Sequence, residues 1–487
     1  MDQPYSRIAD SLMDYQYWSP NDPQRTPYDD TGWTFPELYN VQAVRVTDAK
    51  VLDAAMEKVT GEVRPKGEVV NSTAGSVFVV NHNADIALIT LRYKFKDASF
   101  EAAEEPFEAA GKKFCRGSFV ISNVNAADIQ KAATDLGLQI TAVASAPSVK
   151  THPTRAPRVA IMHTWSTTQT EGWWRQAFDN AQIPFTYIST QDVAKDNNLN
   201  ATFDVIVFPP VGRGTQVIVN GMPMYGNPLP WKKTPETPNL GSEDETDDMR
   251  PGLGWMGVSH LQDFVRKGGV LLTSMDTADF AVTTGFTPGL SVAARQRMRI
   301  VGSVVRSKTV DATSPIAYGY TDNLAIWCDN GPIFNVSSLF AGGGGRRLGG
   351  DDSTRPTGRG TPDDPDVPQA RLGVELPAEP KAETWQAMPI TDEQMRNAIN
   401  VIPPAARPRV ILRYADNRDL LVSGLVENGS EIAQHAAVVD VPLDKGHVVV
   451  FSNNPIWRGE TQGSYFLVFN ALLNYDRLDA GRKPDAK

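Results

Sequence analysis

The sequence predicts an α/β protein whose central part contains a parallel, doubly wound sheet. Continuous apolar runs, typical of strands covered on both faces, occur at residues 158–162, 203–208 and 270–273. Helical patterns separate these runs: residues 172–180 form one, and Leu261, Phe264 and Val265 share a face of another, which Gly268 ends. Strands that alternate with helices are typical of a parallel sheet.

The length of 487 residues favours two or three domains. Residues 1–40 are rich in aromatic and turn-forming residues and predict an extended arm. Residues 41–148 predict a small α+β domain with helices at 49–59 and 125–136 and β structure at 76–80, 86–92 and 113–122. Three prolines in 147–157 predict an extended linker. The α/β domain is expected at 158–478, with additional C-terminal strands at 410–414, 436–441 and 447–451 and an amphipathic helix at 464–474.

Composition excludes several classes of function. The net charge is −10 and the basic residues do not cluster, so nucleic acid is not an expected partner. No run of 18 apolar residues occurs, which argues against a membrane span. The two cysteines are far apart and predict packed thiols rather than a disulfide framework. The first residues lack the pattern of a signal peptide, so either the protein is cytoplasmic or its export signal lies elsewhere.

The central domain is similar to glutamine-amidotransferase-like (flavodoxin-like) domains, which carry a nucleophile on a tight turn between a strand and a helix. The corresponding turn follows residues 270–273 and reads Ser274, Met275, Asp276, with neither cysteine nor glycine. Ser274 is an alternative nucleophile, but it has no glycine-flanked turn and no evident histidine partner. Cys328 has apolar and aromatic neighbours typical of a packed thiol. The sequence therefore predicts no catalytic residue.

The histidine spacings do not predict a zinc site. Of the six histidines, none has a glutamate three residues on or a second histidine four residues on. His82 with Asp85 and His260 with Asp263 are three apart and could pair on a metal, but hydrogen-bonded side chains are the simpler interpretation. We therefore expect no cofactor in this chain.

The carboxyl edge of the predicted sheet is the expected ligand site. His163 follows the first strand, and the candidate ligand-binding residues of the domain are His163, Trp165, Trp173, Trp174, Ser274 and Asp276. A long loop, 212–254, leaves the end of the 203–208 strand and would lie over this edge or dock another domain. Its acidic run offers weak calcium candidates, Asp244, Asp247 and Asp248, against the alternative of a solvated charge run. A second long loop is predicted at 342–369.

Several stretches together resemble the region that follows the catalytic domain in large bacterial zinc carboxypeptidases of the carboxypeptidase A-like family. The matching segments are 1–7, 28–33, 114–119, 171–175, 264–269, 315–320, 413–414, 423–424 and 445–451. In those enzymes the zinc ligands and the general-base glutamate belong to an upstream domain without a counterpart here, so no catalytic residue is carried over.

The resemblance implies a non-catalytic accessory or binding region in a proteolysis context, with a periplasmic or extracellular location. A zinc carboxypeptidase catalytic domain would then be a partner, and zinc would belong to that domain. Three alternatives remain: carboxypeptidase activity with a catalytic domain supplied in frame or by a partner, an amidotransferase-like hydrolase, and a module that binds a peptide, glycan or small molecule through tryptophans, Trp231 among them.

Overall fold

The computed structural model describes residues 5–18, 27, 30–61, 63–337 and 401–482. The predicted loop 342–369 lies outside the described residues. The helices are α1 (Ser6–Met13), α2 (Phe35–Leu38), α3 (Ala87–Lys94), α4 (Ala126–Leu136), α5 (Gln169–Asn180), α6 (Thr190–Lys195), α7 (Thr215–Asn220), α8 (Gly254–Arg266), α9 (Asp276–Thr283) and α10 (Tyr465–Leu473). None of the helices in these ranges is long and apolar enough to cross a membrane.

The described strands form two large sheets and two small two-stranded sheets. Those of the first part of the chain are β1 (Glu68–Val70), β2 (Val77–Val80), β3 (Ser99–Ala103), β4 (Phe107–Ala109), β5 (Lys112–Phe114), β6 (Phe119–Ser122), β7 (Gln139–Val143) and β8 (Thr151–Pro153). Those of the remainder are β9 (Val159–His163), β10 (Phe185–Ser189), β11 (Val205–Phe208), β12 (Val270–Ser274), β13 (Leu290–Ala293), β14 (Arg299–Ile300), β15 (Ser303–Thr309), β16 (Asn323–Cys328), β17 (Ile333–Val336), β18 (Arg409–Tyr414), β19 (Leu421–Ser423), β20 (Val426–Glu427), β21 (Ala436–Leu443) and β22 (Gly446–Phe451).

The first sheet has the strand order β1-β7-β2-β6-β3-β8. Its last strand, β8, forms from the predicted linker and pairs antiparallel with β3. The strand predicted at 86–92 is wrong: this segment is helix α3. A short, continuous apolar run does not distinguish a strand from a buried helix, and here the run is buried as a helix against the sheet.

The helix predicted at 49–59 is also wrong. A 3₁₀ helix covers only Ala49–Asp53, and the following residues to 60 have no helical structure. The apolar residues Leu52, Met56 and Val59 are exposed. Because a short helix needs an apolar face packed against a partner, this segment lacks the contacts that would stabilise one.

The second sheet is mixed, and its parallel part confirms the predicted α/β class. Five parallel strands have the order β10-β9-β11-β12-β22, which is 2-1-3-4-5 in chain order. The sheet continues antiparallel through β21, β18, β15 and β16. The strands predicted at 158–162, 203–208, 270–273 and 447–451 are all present. Their central position explains the continuous apolar runs, since helices and other elements cover both faces.

Helix α10 joins the two parts of the chain. The helix predicted at 464–474 is present, but all nine of its residues are buried, so its predicted amphipathic character is wrong. Asn470 Oδ1 lies 2.9 Å from His82 Nε2, and Asn474 Oδ1 lies 2.9 Å from His152 Nε2. Both histidines belong to the first part of the chain. Asn470 in the helix and Asn474 directly after it are thus paired across the contact between the two sheets, so their burial leaves no side-chain oxygen without a partner.

Candidate functional site

The turn between β12 and α9 has a strained backbone. Met275 is the single residue between strand and helix, and its φ of 57° and ψ of −118° lie in a region that side-chain-bearing residues rarely adopt. The sequence had suggested no such turn because glycine is absent. The strain instead falls on Met275, the residue at the sharp turn from strand to helix.

Ser274 and Asp276 have structural partners at this turn. Ser274 is fully buried, and its hydroxyl donates to the carbonyl oxygen of Asn453 at 2.8 Å. Asp276 Oδ2 accepts the backbone N–H groups of Val211 and Arg213 at 3.1 and 3.2 Å, which ties the segment after β11 to the start of α9. Burial raises the pKa of Asp276 above its usual value.

A first cavity, of about 340 Å³, opens beside this turn. Met275, Asp276 and Asp279 line it from the α9 side, and Arg295, Asn330 and Gly331 contribute from the strands and loops opposite. A thioether side chain therefore occupies the strained position of this turn, beside an accessible cavity.

His163 ends β9 and is the centre of a second cluster. Its ring stacks on Tyr187 of β10, with centroids 4.1 Å apart and an interplanar angle of 11°. Trp165 approaches it edge-on at 4.9 Å. Its Nε2 lies 2.7 Å from Asp244 Oδ2. Burial lowers the pKa of His163, and the nearby Asp244 carboxylate opposes that shift.

Helix α5 adds two charged residues to this cluster. Glu171 is only 2% exposed, and its Oε1 accepts the hydroxyl of Tyr187 at 2.5 Å. Burial raises the pKa of Glu171 to about 7. One turn later, the Arg175 guanidinium lies over the Tyr187 ring, 4.4 Å from its centroid, and donates to Glu243 at 2.6 Å. Since His163 also stacks on Tyr187, the two residues cover opposite faces of that ring.

The segment 212–254 covers this cluster, as the sequence analysis expected, but it is not structureless. It contains α7, and isolated bridges join Gly221 to Pro251 and Trp231 to Thr246. Arg250 is buried; it donates to Asp248 through Nε and Nη2, and Nη1 donates to the carbonyl oxygens of 225 and 226. These contacts order the segment over the carboxyl edge of the sheet.

The three calcium candidates have different basic partners. Asp244 contacts His163, Asp247 pairs with Lys232, and Asp248 pairs with Arg250. These pairs account for the acidic residues as contacts that order the segment. Within the described ranges, no group of three or more His, Cys, Asp or Glu side chains is arranged to hold a metal ion.

The cluster surrounds a second cavity, of about 260 Å³. Its lining includes His163, Trp165, Glu171, Arg175 and Tyr187 from the sheet and α5, and Trp231 and Asp244 from the covering segment. Three buried polar atoms of this lining have no hydrogen-bond partner in the part of the chain that the structure describes: Trp165 Nε1, Glu171 Oε2 and Arg175 Nε.

The structure brings together only some of the predicted site residues. His163 and Trp165 line the second cavity, while Asp276 lines the first. Trp174 is 1% exposed and donates to Asn454 Oδ1 at 3.2 Å in the core, and the half-buried Trp173 lines neither of these two cavities.

The sequence analysis missed Glu171, Arg175 and Tyr187. Glu171 and Arg175 are four residues apart on the helix that follows the strand of His163, and that spacing was a signal that could have found them. Tyr187 had no comparable signal.

The remaining candidates have ordinary structural partners. His82 pairs with Asn470, and His260 Nδ1 lies 2.9 Å from the carbonyl oxygen of Val193. Cys115 and Cys328 are both free thiols. Cys328 is fully buried, and burial raises its pKa to about 12, so its thiolate form is strongly disfavoured.

Comparisons with known proteins identify no family. No family model and no curated protein matches the chain. A cytoplasmic protein of Salmonella typhimurium is 9% identical over 65% of this chain and 97% of its own, with a TM-score of 0.31. A putative ThuA-like protein of Bacteroides uniformis is 10% identical over 66% and 93%, with a TM-score of 0.30. PurLQS of Thermotoga maritima is 12% identical over 66% and 98%, with a TM-score of 0.31. Likeness at this level carries no conclusion about function.

Proposed function

We propose that this chain is a non-catalytic binding region with a glutamine-amidotransferase-like α/β domain, related to the region that follows the catalytic domain in bacterial zinc carboxypeptidases. The observation that carries the non-catalytic part is Met275 at the strained turn between β12 and α9. A thioether has no proton to lose and cannot form the thioester or ester intermediate of an amidotransferase-type hydrolysis. Ser274, beside it, is buried and committed to a backbone carbonyl.

Two features support the amidotransferase-like fold. The parallel strands have the 2-1-3-4-5 order of flavodoxin-like sheets. The one-residue connection at Met275 has the sharp strand-to-helix geometry that presents a nucleophile in catalytic relatives of such domains. The scaffold of the turn is thus kept while the reactive side chain is replaced.

The second cavity supports a binding role. It lies beside the carboxyl end of β9, at the edge of the sheet where doubly wound domains bind ligands. Its lining combines aromatic rings with a few buried polar groups, which is typical of small-molecule sites. The segment 212–254 closes over it and shields the polar groups from solvent.

The accessory role rests on the resemblance in the sequence. In this proposal a carboxypeptidase A-like catalytic domain supplies the zinc and the proteolytic activity, and the chain acts with it in the periplasm or outside the cell. Zinc carboxypeptidase activity that depends on such a partner, and an amidotransferase-like hydrolase, are the alternative functions.

Hydrolysis assays on the purified chain test the non-catalytic part of the proposal. We expect no turnover of glutamine, of simple esters or of a C-terminal dipeptide substrate, with or without added zinc. Turnover that follows bound zinc in stoichiometric amounts would favour the carboxypeptidase alternative. Hydrolysis that Ser274→Ala or Cys328→Ala abolishes would favour the amidotransferase-like hydrolase.

A binding assay tests the accessory part. The chain, mixed with a purified bacterial carboxypeptidase A-like catalytic domain, is expected to co-elute with it in size-exclusion chromatography. Separate elution of the two proteins at micromolar concentrations would refute the partnership. The binding role would then rest on the second cavity alone.

A further inference from the structure

The second cavity contains more unsatisfied hydrogen-bonding groups than a sealed core tolerates. Trp165 Nε1 and Arg175 Nε are donors, and Glu171 Oε2 belongs to a carboxyl that is almost fully buried. A buried polar atom without a partner costs free energy, so such atoms concentrate where a ligand or ordered water completes them. The three residues that carry these atoms line one cavity of about 260 Å³.

The charges around the cavity argue against an anionic ligand. Arg175 is already paired with Glu243, and His163 with Asp244. One Nη2–H of Arg175 already donates to Glu243, so a ligand carboxylate would have to share the guanidinium with that carboxylate. With Glu171 included, the acidic groups at least balance the basic ones, and an added anion would be repelled.

A simple cation fits no better. An ammonium group could donate to Glu171, but it carries no acceptor for the N–H groups of Trp165 and Arg175. The ligand must therefore present acceptors and donors close together without net charge. A hydroxyl group is both donor and acceptor, so neighbouring hydroxyls on one ring can satisfy all three atoms.

The shape and the aromatic lining agree with such a ring. The cavity is smaller than the roughly 300–1,000 Å³ typical of sites for drug-sized molecules, so it admits only a small ligand. Both faces of Tyr187 are already covered, by His163 and Arg175. Trp165 and Trp231 are therefore the rings that can pack on the apolar face of a ligand, and Trp231 remains 39% exposed at the rim.

We infer that this cavity binds a neutral sugar ring, either as a free monosaccharide or as the terminal residue of a glycan. The hydroxyls of the ring accept hydrogen bonds from Trp165 Nε1 and Arg175 Nε and donate one to Glu171 Oε2. The inference rests on the proposed function, because it names the ligand class of the binding region proposed above.

Titration calorimetry of the full chain tests the inference with a defined panel. The neutral probes are glucose, galactose, mannose and N-acetylglucosamine; glucuronate, glucosamine and glutamine are the anionic, cationic and zwitterionic comparisons. We expect at least one neutral probe to bind, and to bind more tightly than the three comparisons. A disaccharide that carries the bound sugar at its non-reducing end separates the sources: tighter binding than the free sugar indicates a glycan terminus, and equal or weaker binding a monosaccharide.

Matched variants locate the binding. Trp165→Phe keeps an aromatic ring but removes the N–H donor, and Glu171→Gln keeps the shape but replaces a carboxyl oxygen with an amide nitrogen. Each is expected to weaken binding about tenfold, as the loss of one buried hydrogen bond implies. Trp173→Phe, on α5 with Glu171, is the control and is expected to bind like the wild type.

Three results would overturn the inference: no neutral sugar binds, glutamine or a charged probe binds better, or both cavity variants bind like the wild type. These failures differ from failure of the proposed function. The proposed function fails on hydrolytic turnover or on separate elution from the peptidase domain, and neither assay uses a sugar.

Discussion

Replacing Met275 with glycine and with alanine measures the strain at the turn between β12 and α9. Both variants lack the side chain beyond Cβ, so the difference between their free energies of unfolding reports the strain in the backbone. A side-chain-bearing residue at the φ of 57° and ψ of −118° observed here carries strain of about 1–3 kcal/mol. Glycine releases that strain but adds conformational freedom to the unfolded chain, which offsets about 0.4–1 kcal/mol. Met275→Gly should therefore be more stable than Met275→Ala by about 1 kcal/mol.

Urea unfolding followed by tryptophan fluorescence provides the comparison, with Gly172→Ala as the control of opposite sign. Gly172 lies within α5, and apart from its chain neighbours and the backbone of its own helix no atom would approach an added Cβ within 4 Å. Alanine is expected to stabilise that position by about 0.5–1 kcal/mol, as in an ordinary helix. An alanine variant at Met275 that equals or exceeds the glycine variant in stability would refute the reasoning, and with it the strained turn on which the proposed function depends.

Three further outcomes are expected. The stability of Glu171→Gln relative to the wild type should grow from about pH 4.5 to about 7, because burial raises the pKa of the Glu171 carboxyl to about 7 and the folded state disfavours the charged carboxylate. A difference in thermal unfolding temperature that does not change with pH would contradict this. The Asp440 carboxylate raises the pKa of His447 to about 9, so their pairing stabilises the fold fully below pH 6.5 and this stabilisation is lost towards pH 9. His447→Gln should flatten the decline in stability between these pH values, and an unchanged pH profile of the variant would contradict this. Limited proteolysis should cut first within residues 41–61, which are exposed and largely without regular structure, and a first cut elsewhere would count against this.

The central sheet was predictable because its strands are buried on both faces. Burial on two sides selects apolar residues at every position, and the resulting runs in β9, β11 and β12 are visible without any structure. The same rule failed at α3, where a helix buried against the first sheet has an equally continuous apolar run. At α10 the helix was predicted correctly, but its burial on every side was not, since that burial depends on contacts with both parts of the chain.

Only those residues of the candidate site that lie at the end of a predicted strand could be placed from the sequence. His163 ends a parallel strand, so its place at the carboxyl edge could be inferred from the sequence. Tyr187 could not, since it reaches the cluster because β10 pairs with β9, aligning Tyr187 with Ile161. Asp244 could be placed near the edge with its loop, but its contact with His163 spans 81 positions and depends on how that loop folds.

The sequence alone determined the α/β class and the parallel strands, because these follow from local composition; at the turn after β12 it showed neither cysteine nor glycine and left Ser274 as an alternative. The tertiary structure decided that Met275 takes the strained backbone. It also decided that Trp165, Glu171 and Arg175 line one cavity and each carry a buried polar atom without a partner among the described residues. Strain and unsatisfied hydrogen bonds depend on how segments from distant positions pack around a residue. They arise only when pairing of the strands and folding of the covering segment set which groups meet and which are left without a partner.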